Sequence, residues 1–123
     1  MKIKIALVED NKVLRETLEA FLNRYENFEC IFSLPNPLLL LPSMRENKPD
    51  VILMDIEMPE MDGYVLTKLI KSDHRFNGIP VIMHSSLSSN ANRAMGTSVG
   101  VDAYVAKFDP AILADTLIPF LQR

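Results

Sequence analysis

The stretch DVILMDIEMPEMDG at residues 50–63 decides the fold of this chain. Its apolar side chains at 51–54 are continuous and do not alternate with polar ones. Such a run is typical of a strand that is buried on both faces, and these strands usually belong to a parallel sheet. The run ends directly at a carboxylate, Asp55.

Four further apolar segments, at 3–8, 28–32, 81–83 and 103–106, predict the other strands. Amphipathic stretches lie between them, with apolar residues spaced by three and four as on one face of a helix. These residues are Leu14, Leu18, Phe21, Leu22 and Tyr25 in the first helix, Val65, Leu66, Leu69 and Ile70 in the third, and Leu113, Leu117 and Leu121 in the fifth. The alternation predicts an open α/β sheet with helices on both faces.

The ends of the helices are predicted from capping residues. Asp10 or Asn11 is expected to cap the first helix, and Asp109 the fifth, with Pro110 as its first residue. The second helix should lie near 35–42, where Pro42 would cost about 3 kcal/mol inside a helix and must therefore begin it or break its first turn. The fourth, at 88–100, is rich in poor helix formers and should be short or mobile.

Length and composition exclude several classes of protein. With 123 residues, 48% of them hydrophobic, we expect one folded domain spanning residues 1–123. A net charge of −3 argues against a nucleic-acid-binding face, and the absence of a long apolar run argues against a membrane span or signal peptide. The lone Cys30 fits a reducing compartment, so the expected location is the cytoplasm.

The predicted strand ends bring chemistry-bearing side chains to one edge of the sheet, where open α/β sheets bind ligands. They are Glu9 and Asp10 after the first strand, Asp55 after the third, Ser85 after the fourth and Lys107 after the fifth. Neighbouring carboxylates repel by about 1–4 kcal/mol at ~4 Å, so such a cluster holds a proton or binds a cation. Oxygen ligands suit Mg²⁺ or Mn²⁺. With a lysine and a hydroxyl nearby, these are the parts needed for phosphoryl transfer onto a carboxylate.

Four segments together resemble the receiver domain of two-component response regulators, the CheY-like fold. They cover residues 6–11, 50–63, 79–86 and 102–107, in the family's order and approximate spacing. The resemblance implies a flavodoxin-like, doubly wound sheet of five parallel strands in the order 2-1-3-4-5, with five helices. The back half, with residues 84–88 and 99–108, resembles receivers attached to chemotaxis coupling proteins.

The resemblance also implies a role for each site residue. Asp55 would be the phosphoacceptor for a histidine kinase or a small phosphodonor. Glu9, Asp10 and Asp55 would hold Mg²⁺, together with the backbone carbonyl of Glu57. Such a domain phosphorylates and dephosphorylates itself, and is a signalling switch more than a metabolic enzyme.

Three further residues would bind the phosphoryl group and pass on the signal. Ser85 and Lys107 would contact its oxygens, and Tyr104 would turn inward when Ser85 moves. The face made by the fourth helix, fifth strand and fifth helix would then bind a downstream protein. The family usually has Pro after this lysine; Phe108 follows here, so a trans Lys107–Phe108 bond is expected. We expect a monomer or weak homodimer, with no direct contact to nucleic acid or membrane.

Three other functions remain open at this stage. A Mg²⁺-dependent phosphohydrolase of the haloacid dehalogenase kind would also carry an acid at Glu57, although its nucleophile follows the first strand. An interaction module could keep the fold without being phosphorylated. A flavodoxin-like electron carrier would need a hydroxyl- and Gly-rich loop after the first strand, where this chain has EDNK at 9–12.

Overall fold

The computed structural model describes residues 2–55, 58, 61–85, 100–106 and 110–119. Its strands are β1 (Ile3–Val8), β2 (Phe28–Leu34), β3 (Val51–Met54), β4 (Val81–Ser85) and β5 (Ala103–Ala106). Its helices are α1 (Lys12–Asn23), α2 (Leu40–Glu46), α3 (Gly63–Ser72) and α4 (Pro110–Leu117), and a 3₁₀ turn (Pro37–Leu39) leads into α2. None of these helices is long and apolar enough to span a membrane.

All strand pairs are parallel and their order is β2-β1-β3-β4-β5, which confirms the predicted sheet. The predicted fourth helix lies outside the described residues, apart from Gly100. The predicted fifth helix is α4; its expected cap, Asp109, and its last apolar residue, Leu121, also lie outside them.

The sheet separates two hydrophobic layers, because alternate side chains of each strand point to opposite faces. Ala6 and Val8 of β1 pack in the layer that contains α2 and α3. Ile5 and Leu7 pack in the layer that contains α1 and α4. Every side chain of β3 is fully buried, as its continuous apolar run predicts.

The capping predictions are resolved at α1, where Asn11 and not Asp10 is the N-cap. The Asn11 side chain accepts a hydrogen bond from the Leu14 amide at 3.0 Å. The helix ends at Asn23, so Tyr25 lies beyond it and stacks edge-on against Phe21. In α3 only part of the predicted apolar face is buried, since Val65 and Leu69 are exposed.

Pro42 lies in the first turn of α2, which explains why the helix tolerates it. Asn36 caps the preceding 3₁₀ turn by accepting from the Leu38 amide at 2.8 Å. The first amides of an α-helix have no partner within the helix, so the missing N–H of Pro42 removes no helical hydrogen bond. Of the leucines before it, Leu40 is buried whereas Leu38 and Leu39 are about half exposed.

Cys30 is half-buried in β2. Burial, reinforced by Glu19, raises the pKa of its thiol to about 12. The thiol donates to the Phe32 carbonyl at 3.1 Å. It therefore stays protonated at neutral pH and is a poor nucleophile.

Lys71, at the end of α3, joins three segments at the edge of the sheet opposite the carboxylates. Its ammonium donates to the Ile79 carbonyl at 2.8 Å and to the Asp102 carboxylate at 3.0 Å. The same Asp102 oxygen accepts from the Val81 amide at 2.7 Å. This network fixes the start of β4 and the entry to β5, and it crowds Gly100.

We expect Gly100→Ala to lower the free energy of unfolding by about 1–3 kcal/mol, the usual cost of strained backbone at a residue other than glycine. Gly100 has φ +101°, and an added Cβ would lie 3.0 Å from the Lys71 Cγ. Urea denaturation followed by circular dichroism measures the loss. Gly78→Ala is the matched control, because nothing lies within 4 Å of its added Cβ and its φ is not positive. Equal stability of the two variants would contradict the prediction.

Candidate functional site

Three carboxylates meet at the carboxyl edge of the sheet, as the predicted strand ends require. Glu9 and Asp10 follow β1, Asp55 follows β3, and these two strands are neighbours. One oxygen of each carboxylate lies within 4.8 Å of the others. Glu9 is 1% exposed and Asp55 is 4% exposed, whereas Asp10 is open to solvent.

The backbone positions these carboxylates by extending the strand ladders past the strand ends. The Glu9 amide donates to the Leu34 carbonyl and the Asp55 amide to the Val8 carbonyl, both at 3.0 Å. The backbone of both residues is therefore fixed by the sheet. Their positions do not depend on contacts between the carboxylate side chains.

Further contacts hold Glu9 from the side of α1. The Arg15 guanidinium donates to the Glu9 backbone carbonyl at 2.9 Å. The backbone N–H of Asn11 donates to a Glu9 carboxylate oxygen at 3.2 Å. Since Asn11 is also the N-cap of α1, the start of that helix and the orientation of Glu9 are fixed together.

The donor set fits a hard divalent cation. Carboxylate oxygens are the ligands that Mg²⁺ and Mn²⁺ prefer, and Mg²⁺ usually keeps several waters. Two buried carboxylates supply negative charge in a region of low dielectric, where uncompensated charge is costly. The exposed Asp10 leaves one side open to solvent and to an incoming ion. The cluster therefore has the oxygen ligands and the access to solvent that a magnesium site needs.

The other predicted site residues are described only in part. Ser85 ends β4 and pairs with Ala106 in the ladder, which places its backbone at the same edge as Asp55. The side chain of Ser85 lies outside the described atoms, as do the residues Glu57, Lys107 and Phe108. Their roles stay predictions.

Tyr104 lies on β5, half-buried, and its hydroxyl donates to the hydroxyl of Tyr64 at 2.9 Å. Tyr64 belongs to the first turn of α3. Sequence reasoning missed both Tyr64 and Arg15. No local signal could have identified Tyr64, since its partner is 40 residues away. Arg15 could have been suspected only from its place one turn after the helix cap.

A cavity of about 620 Å³ lies between α1 and α4, away from the three carboxylates. Its lining is mainly apolar and includes Phe21, Leu113 and the buried His84 of β4. Because none of the cluster residues lines it, this cavity is not part of the candidate site.

Comparison with known proteins agrees with the fold. The family model of the response regulator receiver domain matches residues 5–117. A protein-glutamate methylesterase/protein-glutamine glutaminase 2 of Hahella chejuensis is 33% identical over 90% of this chain, which spans 29% of that protein. The chemotaxis protein CheV2 of Helicobacter pylori is 36% identical over 84% of this chain and 34% of its own length. This chain thus spans about a third of these curated relatives.

The fold is also that of solved chemotaxis proteins. The structure of CheY4 of Vibrio cholerae, crystallised at low pH, has a TM-score of 0.89 to this chain at 23% identity. The match covers 98% of this chain and 99% of that one. At this identity the likeness concerns the fold, and it extends over the whole sheet.

Proposed function

The chain belongs to the response regulator receiver domain family, and on that premise we propose that Asp55 accepts a phosphoryl group from a histidine kinase in a Mg²⁺-dependent reaction. The observation that carries this proposal is the buried Asp55 carboxylate within 4.8 Å of two other carboxylates at the strand ends. One carboxylate of such a cluster can act as nucleophile while the cluster as a whole holds the cation.

In the proposed step, one Asp55 oxygen attacks phosphorus as the bond between phosphorus and the donor imidazole nitrogen breaks. The product is an acyl phosphate, and the departing imidazole nitrogen takes up a proton. Glu9, Asp10, Asp55 and the backbone carbonyl of Glu57 would hold Mg²⁺, whose charge would offset that of the phosphoryl oxygens. Hydrolysis reverses the modification: a water oxygen bonds to phosphorus, and the carboxylate and inorganic phosphate are released.

The residues of this chain contribute mainly position and charge. The backbone hydrogen bonds of Glu9 and Asp55 fix the carboxylates before any ligand arrives, so little reorganisation is needed. In this proposal, Ser85 and Lys107 contact the phosphoryl oxygens. Tyr104 turns inward when Ser85 moves. The partners are a histidine kinase as donor and a downstream protein on the face around β5 and α4.

Family membership sets aside the phosphohydrolase and the electron carrier. The remaining alternative is a module of the same fold that is never phosphorylated. Intact-mass measurement after incubation with acetyl phosphate and Mg²⁺ tests this directly. We expect a gain of about 80 Da, the mass of one phosphoryl unit. EDTA should prevent this gain. Hydroxylamine, which cleaves acyl phosphates, should remove it. An unchanged mass with Mg²⁺ present would contradict the proposal.

A further inference from the structure

The cavity between α1 and α4, called here the α1–α4 cavity, takes no part in the proposed phosphoryl transfer. Its volume of about 620 Å³ falls within the range of about 300–1,000 Å³ that is usual for small-molecule sites. Described residues of α1, β4 and α4 line it, whereas Glu9, Asp10 and Asp55 do not. A molecule bound there would therefore not compete for these carboxylates.

Short side chains on one face of α1 leave this space unfilled. Thr17 and Ala20 both line the cavity, and residues three apart in a helix are neighbours on its surface. The Thr17 hydroxyl donates to the Val13 carbonyl of its own helix at 2.7 Å. The hydroxyl proton is thus already used within the helix, and α1 presents mainly hydrocarbon to an occupant along this face.

The inner wall of the cavity is apolar and belongs to the hydrophobic core. Leu18 of α1 and Leu113 of α4 line it, and both are buried in the same layer. Leu14 and Phe21 also line it and are only half-buried. Because the removal of apolar surface from water is favourable, this wall favours an occupant whose own surface is apolar.

The charged groups of the lining lie at its exposed rim. Among the described lining residues these are Glu16 and Arg24, and both are exposed. They lie about 12 Å apart along α1 at the helical rise per residue, which exceeds the Debye length of about 8 Å at physiological ionic strength. Both charges stay in water, so neither offers a buried partner to an ion. An ionised ligand would lose its own hydration against the apolar wall, and this cost favours an uncharged ligand.

Two flat rings in the lining favour an aromatic ligand. One is the ring of Phe21, and the other is the imidazole of His84, which is 2% exposed. Aromatic rings pack edge-to-face or offset against one another, and such contacts stabilise a complex beyond the area that they bury. His84 directly precedes Ser85 in β4, so an occupant would also contact the strand that ends at the carboxylate edge.

We propose that the α1–α4 cavity is a binding site for an uncharged aromatic molecule of two or three rings. Such a molecule has the size that sites of this volume hold, and it would bury its faces against Leu18, Phe21 and Leu113. The inference goes beyond phosphoryl transfer and does not rest on it, because no carboxylate of the acidic cluster lines the cavity.

The first test uses N-phenyl-1-naphthylamine, an uncharged molecule of three aromatic rings whose fluorescence rises in apolar surroundings. We expect saturable binding with a dissociation constant on the order of 100 μM or lower, as is usual for a ligand of this size. Ala20→Leu should weaken binding about fivefold, the effect of losing the contact of little more than one buried methylene group. Ala20 is exposed, so this variant should fold normally. Ser72→Leu, which adds an exposed leucine at the end of α3, is the control and should bind as the unaltered chain does.

Two further measurements test the class of ligand and its position. 8-Anilinonaphthalene-1-sulfonate has the same ring skeleton with an added sulfonate, and we expect it to bind about tenfold more weakly because the sulfonate must lose hydration. The chain has two histidines, of which His74 is exposed beyond the end of α3. In the unaltered chain, N-phenyl-1-naphthylamine should shift the imidazole NMR signals of His84 and leave those of His74 in place. The variant His74→Gln assigns the two sets of signals.

Each result decides for or against the site. Absence of saturable binding, or equal binding by Ala20→Leu and the unaltered chain, would overturn the inference. Unmoved His84 signals would also overturn it, because the bound molecule would then lie elsewhere. Equal or tighter binding of the sulfonate would overturn the assignment to an uncharged ligand. None of these results bears on phosphorylation of Asp55, which acetyl phosphate and Mg²⁺ test separately.

Discussion

Asp55→Asn is expected to abolish the phosphoryl mass gain completely. The amide is nearly the same size as the carboxylate, but its oxygen is a far weaker nucleophile and it cannot form an acyl phosphate. Treated with acetyl phosphate and Mg²⁺, the variant should show no species about 80 Da heavier than the protein itself. Intact-mass spectrometry measures this result.

The same substitution should stabilise the metal-free protein. A stable variant that gains no phosphoryl mass would show that the loss of phosphorylation is not caused by unfolding. Asp55 is 4% exposed and lies among two other carboxylates, so removing its charge relieves repulsion on the order of 1 kcal/mol. We expect a higher unfolding midpoint in EDTA than for the unaltered chain. Asp115→Asn, on the exposed face of α4, is the matched control and should keep the mass gain. A full mass gain in Asp55→Asn would mean that another residue is the acceptor.

Asp10→Asn is expected to weaken Mg²⁺ binding at least about tenfold. The removed charge lies within 4.8 Å of the other two carboxylate oxygens, and a unit charge ~4 Å from a divalent cation is worth about 2 kcal/mol even at the dielectric constant of water. Because Asp10 is exposed, the substitution should leave the fold intact. Isothermal titration with Mg²⁺ gives the dissociation constants.

Two comparisons make the Mg²⁺ prediction specific. Asp115→Asn changes the net charge by the same amount at a distant site, so it should leave the dissociation constant within about twofold. Higher salt should weaken binding to the unaltered chain more than binding to Asp10→Asn, because the variant lacks one exposed charge for salt to screen. If the Asp10 and Asp115 variants bind Mg²⁺ equally well, the acidic cluster is not the ion's site.

The strands and their parallel arrangement could be predicted because strands buried on both faces have continuous apolar sequences. The continuous apolar runs at 51–54 and 81–83 are typical of strands in a sheet covered on both faces, and both are strands there. The carboxylates at the strand ends could be predicted to meet for the same reason, since parallel strands present one common edge. Helix ends were less certain: either Asp10 or Asn11 could cap α1, and the helix stops at Asn23, before Tyr25.

The sequence by itself determined the five strands, the edge at which Glu9, Asp10 and Asp55 converge, and the family, because these depend on patterns read along a continuous segment. Only the tertiary structure decided that Arg15 holds the Glu9 carbonyl and that Val65 and Leu69 of α3 stay exposed. It alone decided that Tyr104 meets Tyr64 across 40 residues. Such contacts depend on the distance and angle between packed elements, to within a few tenths of an ångström, and no local pattern of residues specifies them.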